Sequence, residues 1–361
     1  NSSVFKKGIN KYLSKNISIF SHPNVHALKL SKNINYFFPN CKKFVYCNSG
    51  VESVLKSFRI SRAINNKNII VSVVGSWHGA TDQTLFYPKN NLSPEPSSAG
   101  LSVSDKKNLK FIPYNNIEES KKILDKIKNK ITCVIIEPIT ACLPLKNAKK
   151  YLKFLESYCK KNRINLIFDE IITGFRSKKG NVQNQYNIKP DISIIGKIVG
   201  GGMPMSVIGL SKNTFNKLKK LNKKVIFGGT FSGNTLSSFL GNETINHIRK
   251  NKFLINELIK KCKIFENQIN KFILKENLDA KIYRFDSILR IVFSDKESNN
   301  RLQRDFLENK KSRLIQKFSR YLLDKDIFYP PNGVILLSTS TNYKNLNYII
   351  KNISAGLKKY F

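Results

Sequence analysis

Short runs of β-branched residues alternate with amphipathic stretches along the chain from about Phe44 onward. Such runs predict buried strands, and the stretches between them carry apolar residues three and four positions apart, as surface helices do. Strands that alternate with helices favour an α/β fold with a mostly parallel sheet. The predicted strands are Ile69–Val74, Cys133–Glu137, Asn165–Asp169, Ile192–Ile195 and Ser206–Leu210, and the predicted helices are Glu52–Ile64, Ile117–Lys128 and Lys149–Lys161.

The pattern changes after about Thr244, where long lysine-rich helical stretches alternate with short strands. We therefore expect three parts: an N-terminal segment over residues 1–44, a large domain over 45–244 and a smaller C-terminal α+β domain over 245–361. A Pro- and Ser-rich stretch at Asn91–Ser104 predicts a long loop. In the last part the pattern predicts helices over Asn251–Lys275, Arg301–Lys325 and Leu346–Lys359, and strands near Lys281–Phe285 and Ile288–Phe293.

The composition is that of a folded globular protein. Of the 361 residues, 41% are hydrophobic and 11% are aromatic, which is enough apolar surface for a large core. No apolar run approaches the ~20 residues of a membrane-spanning helix, and the N-terminus has no secretory signal pattern. We expect a cytoplasmic protein. Because the chain begins with Asn1 rather than Met, we also expect that an N-terminal portion is absent from it.

Charge is the unusual feature of this composition, since 63 Lys and Arg against 24 Asp and Glu give a formal net charge of +39. Such an excess is typical of proteins with nucleic-acid or acidic membrane partners. A basic nucleic-acid-binding protein would cluster its basic and aromatic residues on one element. Here the lysines are scattered through the chain, which favours a solvated basic surface that attracts anionic substrates. We expect no nucleic-acid and no membrane partner, and the nucleic-acid-binding protein remains the alternative.

The six cysteines form no CxxC pair, and several of them lie in apolar runs that predict buried strands. We expect reduced thiols in the core and no metal site. The cysteines are Cys41, Cys47, Cys133, Cys142, Cys159 and Cys262.

Two predicted strands end in residues that suit catalysis. Asp169 and Glu170 follow one apolar run, and open α/β folds bind ligands at the carboxyl ends of their strands. A salt bridge or a helix cap is the alternative for these carboxylates. Lys197 follows the next strand and is framed by Gly196 and the glycines at 200–202. There it can be desolvated enough to present a neutral amine that attacks an aldehyde, although a surface lysine is the alternative.

Three loops of small residues could bind a phosphate or a planar ring. Asn48–Glu52 precedes a helix, whose N-terminal N–H groups suit a phosphate, or else Ser49 is a plain N-cap. Gly75–Gly79 holds the only tryptophan and a histidine, and the indole either stacks on a cofactor or packs in the core. Gly228–Asn234 carries hydroxyl groups that could donate to phosphate, or forms a simple turn.

Taken together, these segments resemble the class III pyridoxal-phosphate-dependent aminotransferases, most closely the glutamate-1-semialdehyde 2,1-aminomutase group. The resemblance rests on FDEIITGFR at 168–176, PDISIIGKIVGGGMP at 190–204 and GGTFSGN at 228–234. It runs from about Phe20 to the C-terminus and includes Tyr329–Pro331. It implies a large domain of fold type I with a seven-stranded sheet and the cofactor pyridoxal 5′-phosphate.

The resemblance also implies roles for particular residues. Lys197 would form the internal aldimine, and Asp169 would pair with the pyridine nitrogen. Trp77 stands where the family has a stacking aromatic residue. Thr230 matches a threonine that reaches the phosphate of the neighbouring subunit, which implies a homodimer with shared active sites. The full set of implied cofactor-binding residues is Ser49, Gly50, Val51, Trp77, His78, Asp169, Lys197, Gly229 and Thr230, with Lys197 and Asp169 as the catalytic pair.

Three segments depart from the family pattern. Val51 replaces a threonine and loses a hydroxyl donor, the segment Glu137–Cys142 lacks the family's Gly-Asn or Gly-Glu, and the loop over 85–110 differs. They favour a two-substrate aminotransferase that passes an amino group to a carbonyl substrate through the Lys197 aldimine. The alternative is the aminomutase reaction, which forms 5-aminolevulinate. A cofactor-binding protein that has lost catalysis is a further alternative.

Overall fold

The computed structural model describes residues 3–14, 22–330 and 332–361, so Phe20 and Pro331 of the resemblance lie outside the described residues. The described chain divides into two compact units. The first unit comprises the described residues up to Pro138, Lys149–Phe175 and Lys179–Lys252, and the second comprises Ile139–Ala148, Arg176–Lys178 and Phe253–Phe361. Because these units are defined by packing alone, the domain boundaries predicted from the sequence stay a prediction.

Seven strands form the main sheet of the first unit. They are β1 (Cys41–Cys47), β2 (Ile69–Val73), β5 (Leu109–Ile112), β6 (Ile131–Ile136), β7 (Asn165–Asp169), β8 (Ile192–Ile195) and β9 (Ser206–Ser211). Their order across the sheet is β1-β9-β8-β7-β6-β2-β5. Strand β9 runs antiparallel to β1 and β8, and the other neighbouring pairs are parallel. The predicted α/β fold of type I with a mostly parallel sheet is confirmed.

The helices of the first unit connect these strands and begin after polar capping residues. Ser49 accepts a hydrogen bond from the Glu52 N–H at the start of the helix Gly50–Asn65, and Asn116 accepts one from the Glu119 N–H at the start of the helix Ile117–Ile127. The helices are α1 (Ser3–Leu13), α2 (Val25–Phe37), α3 (Gly50–Asn65), α4 (Val103–Asn108), α5 (Ile117–Ile127), α6 (Lys149–Lys161), α7 (Val182–Tyr186), α8 (Lys212–Lys219) and α9 (Thr235–Lys250), with 3₁₀ turns at Lys128–Lys130 and Lys197–Gly200.

The centre of the sheet is the core of the first unit. Every residue of β6, β7 and β8 is buried, and the Phe168 side chain has no exposed surface. Continuous apolar strands of this kind are typical of parallel sheets covered on both faces. The residues that end these strands are therefore placed by a close-packed framework.

The second unit is an α+β arrangement built on a three-stranded antiparallel sheet in the order β10-β11-β12. Its apolar core includes Phe265, Phe293 and Phe318, which have no exposed surface. The elements are α10 (Phe253–Lys275), β10 (Lys281–Phe285), β11 (Ile288–Val292), α11 (Arg301–Asn309), α12 (Ser312–Leu323), β12 (Val334–Ile335) and α13 (Tyr343–Tyr360).

Two sequence-based expectations about elements were wrong. The helix expected over Arg301–Lys325 is two helices, because the Lys311 ammonium at the break pairs with Asp279 and donates to the Phe293 carbonyl at 2.9 Å. The loop expected over Asn91–Ser104 contains a short strand, β4 (Pro94–Pro96), which pairs with β3 (Phe86–Pro88). Prolines are tolerated there because the two strands form an isolated hairpin with open edges.

The sulfur chemistry yields a first prediction. Five of the six cysteines are buried, Cys142 is partly exposed, and none is in a disulfide. Burial raises the pKa of Cys41, Cys133 and Cys262 to about 12, so their reactive thiolate forms are scarce at neutral pH. We expect a thiol reagent such as dithionitrobenzoate to label no more than Cys142 rapidly in the native protein at pH 8.

In urea, the same reagent should label all six thiols, because unfolding exposes them. A native protein that gives several thiols at once would contradict the packing described here.

Candidate active site

Asp169 and Lys197 emerge at one edge of the sheet. Asp169 is the last residue of β7, and Lys197 begins the 3₁₀ turn two residues after β8. These strands are parallel neighbours, with Asp169 opposite Ile194. The carboxyl ends of adjacent parallel strands therefore bring a carboxylate and an amine together, where α/β folds place ligands.

The Asp169 carboxylate is buried, with 2% of the residue exposed. Its Oδ2 lies 2.8 Å from Nδ1 of His78, and its Oδ1 accepts a hydrogen bond from the Ile171 N–H at 3.2 Å. An ionised carboxylate only accepts hydrogen bonds, so Nδ1 of His78 carries the proton that joins the two groups. Both side chains are almost fully enclosed. The pair holds a negative charge at the strand end without exposing it to water.

Lys197 has an unusual backbone conformation, with φ at 49°. A left-handed backbone costs about 1 to 2 kcal/mol for a residue with a Cβ atom. Strain of this kind gathers at functional sites, where the surrounding structure fixes it. Lys197 is exposed at the start of its turn and is followed by Gly201, which is also left-handed. The conformation favours a role for this particular amine.

A single apolar side chain, Ile171, links three parts of the site. A Cβ atom added at Gly50 would lie 2.6 Å from its Cδ1, and one added at Gly196 would lie 3.1 Å from its Cγ1. Ile171 thus brings three segments into close contact. They are the start of α3, the residue before Lys197 and the segment after Asp169. Ile171 was not among the sequence candidates, because an isoleucine inside an apolar stretch gives no signal of such a position.

The turn at the start of α3 has the features of an anion site. Ser49 is the N-cap, and Gly50 is the first helical residue. The first N–H groups of a helix have no partner within the helix and attract anions. The Val51 side chain packs against Gly79, where an added Cβ atom would lie 2.5 Å from Cγ2 of Val51. The helix start and the turn that carries His78 are therefore interlocked.

The Trp77 indole lies in this second turn, with 57% of the residue exposed. The backbone N–H of Trp77 donates to Oε1 of Glu137 at 2.8 Å, and the Glu137 N–H donates to Oγ of Ser76 at 3.0 Å. Glu137 follows β6 directly, so two neighbouring strands fix the turn. The sequence predicted Glu137 as the end of a strand and the start of a divergent segment, but it did not indicate this contact.

The loop before α9 carries Gly229 and Thr230, and Thr230 is exposed. The Ser232 N–H donates to the Gly229 carbonyl at 3.0 Å, which closes a turn around Thr230. The loop is held to α3 by Lys56, whose Nζ donates to the Gly228 carbonyl at 3.1 Å. The role of Thr230 towards a second subunit stays a prediction.

The two adjacent carboxylates have different surroundings. Glu170 is completely buried and accepts hydrogen bonds from the Val182 N–H at 2.8 Å, the Gln183 N–H at 3.1 Å and the Thr173 hydroxyl at 2.8 Å. Burial raises the pKa of Glu170, and these hydrogen bonds oppose that rise. Since Val182 and Gln183 open helix α7, Glu170 acts as a helix cap, the alternative that the sequence had left open for both carboxylates.

The described residues fit a phosphorylated pyridine aldehyde. An amine at a strand end matches its aldehyde, and a buried carboxylate matches its ring nitrogen. The N-terminus of α3 matches its phosphate, and an exposed indole matches the face of its ring. Glycine at position 50 keeps the helix start against Ile171, and a larger residue there would displace it. Lys197, Asp169, Trp77 and the turn at 49–51 are the groups that would hold such a cofactor.

Comparison with known proteins agrees with the resemblance found in the sequence. The sequence profile of the family described as Aminotransferase class-III matches residues 4–309. The glutamate-1-semialdehyde 2,1-aminomutase of Methanococcus maripaludis is 33% identical over 347 residues, which cover 93% of this chain and 79% of the relative. The protein of the same name from Methanocaldococcus jannaschii is 32% identical over 334 residues, with 90% and 76% covered.

Solved structures agree in fold. An omega-transaminase from Sphaerobacter thermophilus superposes with a TM-score of 0.89 at 19% identity, over 99% of this chain and 83% of that one. A glutamate-1-semialdehyde-aminomutase from Pseudomonas aeruginosa gives a TM-score of 0.89 at 16% identity, over 100% and 81%. At these identities the likeness shows the fold alone.

The His78–Asp169 contact yields a second prediction. In a His78→Leu variant the buried carboxylate loses its charge-assisted partner, and we expect the free energy of unfolding of the apoprotein to fall by about 2 kcal/mol. Urea denaturation followed by circular dichroism measures this change. Lys42→Met, at an exposed lysine, is the control and should shift the midpoint little.

In an Asp169→Asn background the same His78→Leu change should cost less, because no charge is left unpaired. An equal cost in both backgrounds would mean that packing, and not the hydrogen bond, is responsible.

Proposed function

The chain belongs to the class III aminotransferase family, and on that premise we propose that Lys197 and Asp169 carry its transfer of an amino group to a carbonyl substrate. The enzyme depends on pyridoxal 5′-phosphate. The observation that supports these roles is the pairing of a buried, histidine-bound carboxylate with a lysine at the ends of adjacent parallel strands.

When bound, pyridoxal phosphate supplies a conjugated ring that accepts the electrons left as a proton departs from the substrate. Asp169 would hold the ring nitrogen and keep it protonated, because a buried anion favours a nearby cation. His78 orients that carboxylate through Nδ1. Lys197 would hold the cofactor through its ε-amine, and its Nζ would be the base that takes the proton from the substrate α-carbon.

The remaining contacts position the cofactor. The N–H groups at Ser49, Gly50 and Val51 would bind the phosphate, and the exposed Trp77 indole would cover the face of the ring. Gly229 and Thr230, which lie in the loop before α9, also contribute to phosphate binding. The Val51 side chain contributes packing against the turn at Gly79 where a threonine would offer a hydroxyl group.

We assign Thr230 to the phosphate of a second subunit, in a homodimer with shared active sites. Two apolar residues near Thr230 support this assignment, since Ile226 is 75% exposed and Phe231 is 56% exposed. Exposed apolar groups that flank a functional loop are typical of a protein interface. No helix of the described chain is long and apolar enough to cross a membrane. We place the enzyme in the cytoplasm, with small-molecule substrates and no nucleic-acid partner.

The reaction that we favour is a two-substrate transamination. Val51 and the segment after Glu137 depart from the family pattern, and that segment is tied down within the second unit by Arg290 and Arg304, which both donate to the Cys142 carbonyl. Such differences are expected where substrates differ. The aminomutase reaction is the second candidate, because relatives about a third identical over most of the chain carry that name.

The covalent role of Lys197 yields a third prediction. We expect purified protein incubated with pyridoxal phosphate to be yellow, and the visible band to bleach when a suitable amine is added. Lys197→Ala should lose this band, because no other described lysine shares its strand-end position beside Asp169. Lys212→Ala, at a lysine just after β9, is the control and should keep the band. A colourless wild-type protein would refute the assignment.

The reaction type yields a fourth prediction. The pyridoxamine form of the enzyme, given glutamate-1-semialdehyde alone, should stop after at most one turnover, because a transaminase needs a second substrate to restore its amine. Product is measured as 5-aminolevulinate per enzyme subunit. Sustained formation of 5-aminolevulinate without an added amino donor would instead assign the aminomutase reaction.

A further inference from the structure

Lys56 is a buried lysine that the proposed mechanism does not use. It lies in the second turn of α3, and 5% of the residue is exposed. Lysines are almost never buried to this extent unless their charge is paired, because removal of an ammonium group from water is costly. In so lysine-rich a chain, most lysines remain at the surface. A specific contact must hold this one.

The partner of Lys56 is Glu52, one helical turn earlier. The Lys56 ammonium contacts Oε1 of Glu52, and Oε2 of Glu52 accepts the Asn48 N–H at 2.8 Å. The Glu52 N–H in turn donates to Oγ of Ser49 at 3.2 Å. Although partial burial acts to raise the pKa of Glu52, hydrogen bonds from Lys56 and Asn48 lower it overall. Glu52 therefore connects the turn at the helix start to the ammonium of Lys56.

The same ammonium reaches the loop that carries Thr230. Lys56 Nζ donates to the Gly228 carbonyl at 3.1 Å. A Cβ atom added at Gly229 would lie 3.3 Å from Oε1 of Glu52, so the loop backbone rests against the ion pair. The two segments assigned to phosphate are thus joined through Glu52 and Lys56.

We propose that Lys56 is a positioning residue that fixes the Thr230 loop for recognition of the cofactor phosphate of the second subunit. This inference rests on the proposed phosphate-binding roles of Thr230 and of the turn at 49–51. Without the ammonium, the Gly228 carbonyl loses its donor and Glu52 loses its counter-ion. The loop keeps the hydrogen bonds that Arg59 donates to the Ile226 carbonyl and Asn24 donates to the Gly233 carbonyl. It loses its attachment at Gly228, so the Thr230 hydroxyl is held less firmly.

The test compares two ligands that differ only in the phosphate. Dissociation constants of pyridoxal phosphate and of pyridoxal are measured by absorbance on the dimeric apoenzyme of the wild type and of Lys56→Met, whose unbranched side chain fills the same space. We expect the variant to bind pyridoxal phosphate about fivefold more weakly, the equivalent of about 1 kcal/mol, with pyridoxal affinity unchanged. Lys56→Arg, which keeps a cationic donor, should restore most of the preference for phosphate.

Lys42→Met, at an exposed lysine, is the matched control and should bind both ligands as the wild type does. An equal loss of affinity for both ligands in Lys56→Met, or no loss for either, would overturn the proposal. A wild type that binds pyridoxal as tightly as pyridoxal phosphate would overturn the phosphate assignment itself, and this inference with it.

A double-mutant cycle with Thr230→Ala separates positioning from direct contact. If Lys56 acts through Thr230, the double variant binds pyridoxal phosphate no more weakly than Thr230→Ala alone. Fully additive losses would show that Lys56 acts independently of the loop and would contradict the proposal. Should Lys56→Met not fold, Lys56→Gln enters the same cycle, and light scattering confirms that each variant is still a dimer.

Discussion

The hydrogen bond between His78 and Asp169 is the contact on which the site depends. A lone carboxylate with 2% exposure would destabilise the strand end, because a buried charge without a partner is costly. His78 removes that cost and comes from the strand-end turn after β2, two positions across the sheet from β7. The turn is itself held by Glu137 after β6. The ends of β2, β6 and β7 must therefore be correctly placed relative to one another before the charge of Asp169 is stable.

Much of this arrangement could be predicted from the sequence. The apolar runs before Asp169 and Lys197 are strong strand signals, and the parallel order of an α/β fold then places both residues at one edge. The contacts of Ile171 and Lys56 could not be predicted, because they join segments far apart in the chain through an isoleucine and a lysine, two of the commonest residue types here. The break between α11 and α12 was missed for a similar reason. It depends on the tertiary contact of Lys311 with Asp279.

The distribution of acidic residues leaves the surface of this chain strongly basic. The chain has only 24 Asp and Glu against 63 Lys and Arg, and several of these carboxylates form hydrogen bonds inside the protein. Asp169 meets a histidine, Glu170 caps α7, and Glu308 in the second unit accepts from Arg290 at 2.7 Å. The surface is left with a large excess of lysine. Repulsion between those lysines is screened by salt, so low ionic strength is the less favourable condition for this fold.

The left-handed backbone of Lys197 has a consequence for how the sequence can change. Glycine or asparagine would occupy that conformation with less strain than lysine, because the cost arises from the Cβ atom and is lowest for these two residues. The fold carries this strain at the turn for as long as a lysine stands there.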